Sequence, residues 1–107
     1  MYEVHLSAEA LRVHQRAQAP LARKLSRCLA VLSETPQVHP NIKPLSAKYA
    51  GSWRYRVGDW RIVYRPLERR ERTALARIRG EAVKAGTVLV ERIVNRRDLE
   101  RAVRTLA

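Results

Sequence analysis

The densest concentration of chemistry-bearing side chains runs from Lys43 to Arg65, where six basic residues accompany one acid and five of the chain's six aromatics. Arginine suits phosphate, because its planar fork of donors grips two oxygens at once and its charge survives any accessible pH. Aromatics interleaved with arginines can stack bases beside paired phosphates, or they can be core with the arginines left outside. The alternation in WRYRV (53–57) and WRIVYR (60–65) has a period of two, which favours core for Trp53, Tyr55 and Tyr64. The arginines resist so plain a reading: like charges opposed on a sheet destabilise it, a cost that bound phosphate would offset. A second basic pair, Arg96 and Arg97, follows the last strand-like segment and is placed to close the same patch.

The elements that must position these residues are legible in part. Gly58 and Asp59 suit a two-residue hairpin turn. A turn that tight opposes Val57 to Trp60, Arg56 to Arg61, Tyr55 to Ile62, Arg54 to Val63 and Trp53 to Tyr64. Opposed residues share a face, so Trp53, Tyr55, Val57, Trp60, Ile62 and Tyr64 fall together, and Arg54, Arg56 and Arg61 gather on the far side.

Upstream, the alternation from Tyr2 to Leu6 predicts a short strand with Tyr2, Val4 and Leu6 inward and His5 outward. Ser7 reads as the N-cap of a helix reaching about Gln18, and Pro20 fits the first turn of a second. Leu21, Leu25, Cys28, Leu29 and Leu32 give that second helix one apolar stripe, and it must end before Pro36. Residues 35–46, with three prolines, read as an irregular connection holding Lys43. Downstream, Thr87 to Asn95 is a β-branched strand and Asp98 to Leu106 a terminal helix. Residues 68–86 read as an amphipathic helix bearing Leu75, Ile78 and Ala82, or a mobile excursion between strands. The expectation is an α+β fold: a small sheet of about four strands containing an antiparallel hairpin, with an N-terminal helical hairpin packed on one face.

A chain of 107 residues with 46% apolar and 30% charged residues reads as one globular domain, 1–107. Its 22 Lys and Arg against 10 Asp and Glu leave a net charge of +12. Such an excess stores self-repulsion and points to nucleic acid first and an acidic protein second. No apolar run spans a bilayer, and MYEVHLSAEA lacks a signal-peptide layout, so no membrane partner and a cytoplasmic location are expected. Cys28 is the only cysteine; among leucines it reads as a buried structural thiol, with no disulfide to form. His5 and His14 lack metal-ligand spacing, and neither a glycine-rich phosphate cradle nor a nucleophile triad occurs. No metal and no cofactor are expected.

The stretch IKPLSAKYAGSWRYRVGDWRIVYR and the later VERIVNRRDLE resemble the RelE/ParE toxin superfamily. Its members carry a comparable KPL, then a W-R-Y-R-V-G-D-x-R-I-V-Y hairpin, and later an R-R-D segment. The resemblance covers nearly the whole chain apart from residues 68–86. It implies a type II toxin held inactive by a cognate, acidic antitoxin in a hetero-oligomer. In the RelE branch it implies cleavage of mRNA on the ribosome.

By the same resemblance Arg61 matches the hairpin arginine that stabilises the scissile phosphate, Arg54 a basic strand residue, and Arg97, or its neighbour Arg96, a second catalytic arginine. Arg54, Arg56, Arg61, Arg65, Lys48, Arg96 and Arg97 are the expected RNA contacts. Two positions depart from the pattern. Many active members have a histidine before the two arginines and a tyrosine three residues after them, where this chain has Asn95 and Glu100. RNA cleavage of this type needs a base for the 2′-hydroxyl and an acid for the leaving oxygen, and arginine cannot be the base. Lys43, Lys48, His39 and Glu100 are the candidate proton carriers. Two classes stay open: a metal-independent, ribosome-dependent mRNA endoribonuclease, and a non-enzymatic member that inhibits DNA gyrase by binding or merely binds RNA or antitoxin.

Overall fold

Gly58, with φ of +58°, makes the left-handed bend that Asp59 completes, and the sheet is organised around this turn. The computed structural model describes residues 2–45 and 51–106; the expectation for Lys48 lies outside the described residues. On either side of the turn run β3 (Trp53–Val57) and β4 (Trp60–Pro66). Their register pairs Trp53 with Tyr64, Arg54 with Val63, Tyr55 with Ile62, Arg56 with Arg61 and Val57 with Trp60, every pair the tight turn predicts.

The other strands are β1 (Val4–Leu6), β2 (Ile42–Pro44) and β5 (Val88–Asn95). The five make one sheet in the order β1-β5-β4-β3-β2, with β1 parallel to β5 and the other neighbours antiparallel. The sheet thus has one strand more than the approximate four expected. The addition is β2, inside the proline-rich connection. An edge strand tolerates Pro44, whose missing N–H would have faced away from the sheet, and Ile42 is buried beneath it.

Ser7 caps α1 (Ala8–Arg16) by accepting from the Ala10 N–H, and α2 (Ala19–Glu34) starts with its proline in the first turn. Leu25, Cys28 and Leu32 of α2 and Ala10 of α1 pack with Tyr55, Val57, Ile62 and Tyr64 of the hairpin and with Val88, Val90 and Ile93 of β5. Trp53 and Trp60 are half-buried at the margin of this core. Burial pushes the Cys28 thiol up from its ordinary value, with a Tyr55 hydrogen bond opposing, as suits a structural cysteine. Tyr2 falls outside β1 and is 39% exposed, against the expectation of a core position.

Residues 68–86 hold α3 (Arg69–Arg79), closed by Gly80 in the left-handed conformation. The expected apolar stripe is not inward: Leu75 is half-buried, Ala82 is exposed and Ile78 is 83% exposed. After β5 a 3-10 turn over Arg96–Asp98 leads into α4 (Leu99–Arg104), whose Val103 is buried. Among the described residues no helix is long and apolar enough to cross a membrane.

Candidate nucleic-acid interface

Register assigns the faces. Lys43 opposes Arg54 across β2 and β3, and Arg56 opposes Arg61 across β3 and β4. These four side chains therefore lie on one face of the sheet, opposite to the face carrying Tyr55, Ile62 and Tyr64. Lys43 and Arg56 are exposed and Arg54 and Arg61 half-exposed, and among the described residues none of the four is in an ion pair.

Arg61 is the centre of this face. Its Nη1 donates to the carbonyls of Gly58 and Trp60, each at 2.8 Å, which holds the guanidinium over the turn. Burial, then the charges of Arg54, Arg56 and Arg96, pushes it below its usual value, and only Asp59 opposes. Arg96 arrives because its N–H donates to the Asp59 carbonyl at 2.7 Å, tying the end of β5 to the hairpin turn. Its side chain is 3.6 Å from Asp59, with both groups well exposed, too loose a pair to neutralise either charge. Four guanidinium groups around one turn with one carboxylate store repulsion that the fold does not need, which is the electrostatic mark of an anion site.

The structure separates the remaining expected residues. Arg97 is exposed, and Arg96 is the member of the pair tied to the turn, through its N–H on the Asp59 carbonyl. Glu100 is exposed in the first turn of α4 and, among the described residues, pairs with no cation. His39 is on the opposite side of the sheet. It packs on Tyr55 with ring centroids 5.0 Å apart, its Nδ1 accepts from the Asn41 N–H at 3.1 Å, and its Nε2 is 3.4 Å from the Tyr55 hydroxyl. Both nitrogens are engaged on the Tyr55 side, in a pocket that Lys24, Arg27 and Arg56 also line.

Arg65 shares the cationic face but is not free. It grips Glu71 of α3 with two bonds, at 2.6 and 2.5 Å, and lies 3.3 Å from Glu91. Glu91 owes its place to a bulge: Val63 pairs with Arg92 and Tyr64 with Val90, leaving Glu91 between them. Its buried Oε1 is the atom that faces Arg65 Nε at 3.3 Å, an ion pair outside good hydrogen-bond geometry, and burial raises its carboxyl above the ordinary range while Arg65 opposes. Arg65 holds the Glu71 carboxyl below its ordinary range. A group depressed on folding contributes stability above its unfolded pKa and loses it as pH falls through the folded one. Glu71→Gln should therefore lower stability at pH 7 by about 1 kcal/mol, as expected of a bidentate pair near the surface, and the difference should shrink at a pH well below the carboxyl's ordinary 4.5. Urea melts of both proteins at the two pH values measure this; an equal loss at both would remove the ion pair as its cause.

Val63, opposite Arg54, is fully buried although it belongs to the arginine face. Val63 and Val103 are both buried outside the main core cluster, and α4 packs on β5, the strand paired with β4. Among the described residues no three His, Cys, Asp or Glu come together as a metal site.

The model of the ParE toxin of the type II toxin-antitoxin system, parDE, matches residues 4–84, a span that contains Lys43, Arg54, Arg56 and Arg61 but not Arg96. No curated protein matches the chain. Solved structures share the fold. A YoeB/ParE toxin from Agrobacterium tumefaciens is 17% identical with a TM-score of 0.64, over 87% of this chain and 96% of that one. The RelE–RelB complex from Pyrococcus horikoshii OT3 gives 15% and 0.63, over 89% and 94%. The RelBE2 toxin-antitoxin complex from Mycobacterium tuberculosis gives 23% and 0.59, over 89% and 98%. With the family model covering most of its length, the chain belongs to the ParE toxin family of type II toxin-antitoxin systems, within the RelE/ParE superfamily.

Proposed function

We propose that this toxin is a ribosome-dependent mRNA endoribonuclease, acting in the cytoplasm and restrained by an acidic antitoxin. The observation that carries the reading is Arg61, surrounded by Arg54, Arg56 and Arg96 with Asp59 alone opposing. In this reading the RNA 2′-hydroxyl attacks the adjacent phosphorus, the bond to the 5′-oxygen breaks, and a 2′,3′-cyclic phosphate and a 5′-hydroxyl result. Arg61 meets the charge growing on the phosphoryl oxygens, while Arg54, Arg56 and Arg96 hold the flanking strand. Lys43, directly opposite Arg54, is the proton carrier, since it can exchange a proton as the arginines cannot. Arg97 extends the RNA contacts beyond β5, and Glu100 is the second candidate proton carrier, to return a proton to the leaving 5′-oxygen.

A second reading, inhibition of DNA gyrase by binding, is favoured by one observation. The imidazole on this face, His5, lies at the end away from the hairpin turn and is engaged by Glu3 and Arg79, and His39 of the connection is committed to the other side of the sheet. Purified toxin incubated with translating ribosomes and a defined mRNA separates the two. Cleaved message supports the first reading, and intact message with loss of gyrase supercoiling supports the second.

Expression of this chain alone should arrest growth, and co-expression of an acidic protein encoded beside it should relieve the arrest. Culture density after induction is the measurement. Unimpeded growth at high levels of folded toxin, with no antitoxin present, would overturn both readings.

A further inference from the structure

β4 and β5 are adjacent antiparallel strands, and two residues suffice to join such a pair. This chain instead spends residues 67–87 on the connection, most of them in α3, and no residue of α3 is buried. The helix is not there to complete a core. Polar ties hold it at both ends. At its start, Arg65 grips Glu71, a capping box joins Glu68 and Glu71, and Arg72 donates to the Leu67 carbonyl at 2.8 Å. At its end, Arg79 reaches His5 at 3.0 Å, Glu3 at 3.5 Å and Glu81 at 2.8 Å.

The anchors give its position. Arg65, Leu89 and His5 form one row across β4, β5 and β1, on the same face as Arg54 and Arg61. Three neighbouring strands span about 10 Å, and Glu71 to Arg79 runs about 12 Å along a helix axis. α3 is therefore laid across the strands on the arginine side, at the end away from the hairpin turn.

The ties use up the acids and leave the outer cations. Arg69 and Arg77 are exposed and, among the described residues, in no ion pair; Arg70 has only Glu68, at 3.7 Å with both side chains largely exposed. Arg69, Arg70 and Arg77 bound a groove of about 530 Å³ whose floor is Thr73 and Ala74. Small residues between arginines let a strand approach closely while guanidinium groups reach it from either side. None of the residues lining the groove is aromatic or large and aliphatic, the anchors a protein partner would need; the exposed Ile78 lies beside it, four positions from Ala74.

We infer that α3 is a second RNA-binding element, a saddle in which Arg69, Arg70 and Arg77 hold the phosphate backbone of folded RNA apart from the strand at Arg61. The inference rests on RNA being the partner of the sheet face. It does not depend on cleavage there.

The test is binding of a short A-form RNA hairpin to the full-length toxin across a salt series. Compared are the wild type, the triple variant Arg69→Gln, Arg70→Gln, Arg77→Gln, and the triple variant with Lys at the same positions. Loss of three phosphate contacts should make the slope of log affinity against log salt shallower by about two to three units and weaken binding about tenfold or more at moderate salt. The Lys variant should keep the wild-type slope. Glu68 and Glu71 are untouched, and melting curves check that all three proteins are folded. An unchanged slope in a folded Gln variant overturns the inference, as does a Gln variant that loses affinity only for the acidic antitoxin. A wild type that binds the hairpin but cleaves no message removes the endoribonuclease reading and leaves the saddle standing. A wild type that does not bind the hairpin overturns the saddle.

Discussion

Arg61→Ala is expected to lower mRNA cleavage on translating ribosomes about a hundredfold to a thousandfold, the usual effect of removing a preorganised stabiliser of a developing oxyanion. The geometry supports so large a number for one side chain. Arg61 is held over the turn by two carbonyls, and three other guanidinium groups press on it with one carboxylate opposing. A phosphate there relieves repulsion as well as gaining hydrogen bonds. The fold should survive, because the Gly58 and Trp60 carbonyls released by the change are near enough to the surface to find water. Arg61→Lys should recover only part of the rate, since a point charge cannot grip two phosphoryl oxygens in a fixed plane. Circular dichroism, growth inhibition and cleavage on ribosomes should be read together. Wild-type cleavage by a folded Arg61→Ala protein would sink the phosphate-clamp reading.

The largest effect on stability should come from Tyr64. It is 1% exposed, packs in the main core, and its hydroxyl donates to the Pro36 carbonyl at 2.5 Å, so it clamps the end of α2 to the middle of the sheet. Tyr64→Ala should cost about 3 to 5 kcal/mol, combining lost burial with a cavity. Tyr64→Phe should lose about 1 to 3 kcal/mol, since a buried carbonyl is left without its donor. Trp53→Ala, directly across from Tyr64 but only half-buried, should fall below Tyr64→Ala. Arg54→Ala, on the opposite face, should change little. Denaturant midpoints rank the four variants, and comparable midpoints for Tyr64→Ala and Arg54→Ala would mean that the faces are misassigned.

The hairpin was legible because everything that determines it is local: a turn dipeptide, alternation on both sides and opposed residues that follow by counting. The caps and stripe of the two N-terminal helices were legible for the same reason. β2 was hidden because its segment is short and proline-rich, and only pairing with Tyr55, Arg54 and Trp53 makes it a strand. Val63 was misleading: alternation puts it among arginines, yet it is fully buried. Within the candidate site the arginine face could be read from residue order. The choice of Arg96 over Arg97 could not, because it depends on one backbone bond to Asp59. The capture of Arg65 depends on Glu71, six residues on, and on Glu91 in a bulge. Glu71 gives a local signal through its spacing, whereas the bulge gives none.

The strand made after the other four sits inside the sheet, with β1 on one side and β4 on the other. The N-cap of α1 reaches across to it as well, Ser7 Oγ donating to the Glu91 carbonyl over 84 positions of sequence. A nascent chain that has not yet released residues 88–95 has two open strand edges and no Arg96 beside the turn. Contacts this remote in sequence form slowly, and open edges invite pairing with other chains. The cationic face is thus completed only when β5 docks: a polypeptide interrupted earlier is an aggregation hazard before it is a hazard to the cell, and a partner already present at that moment meets the face as it first takes shape.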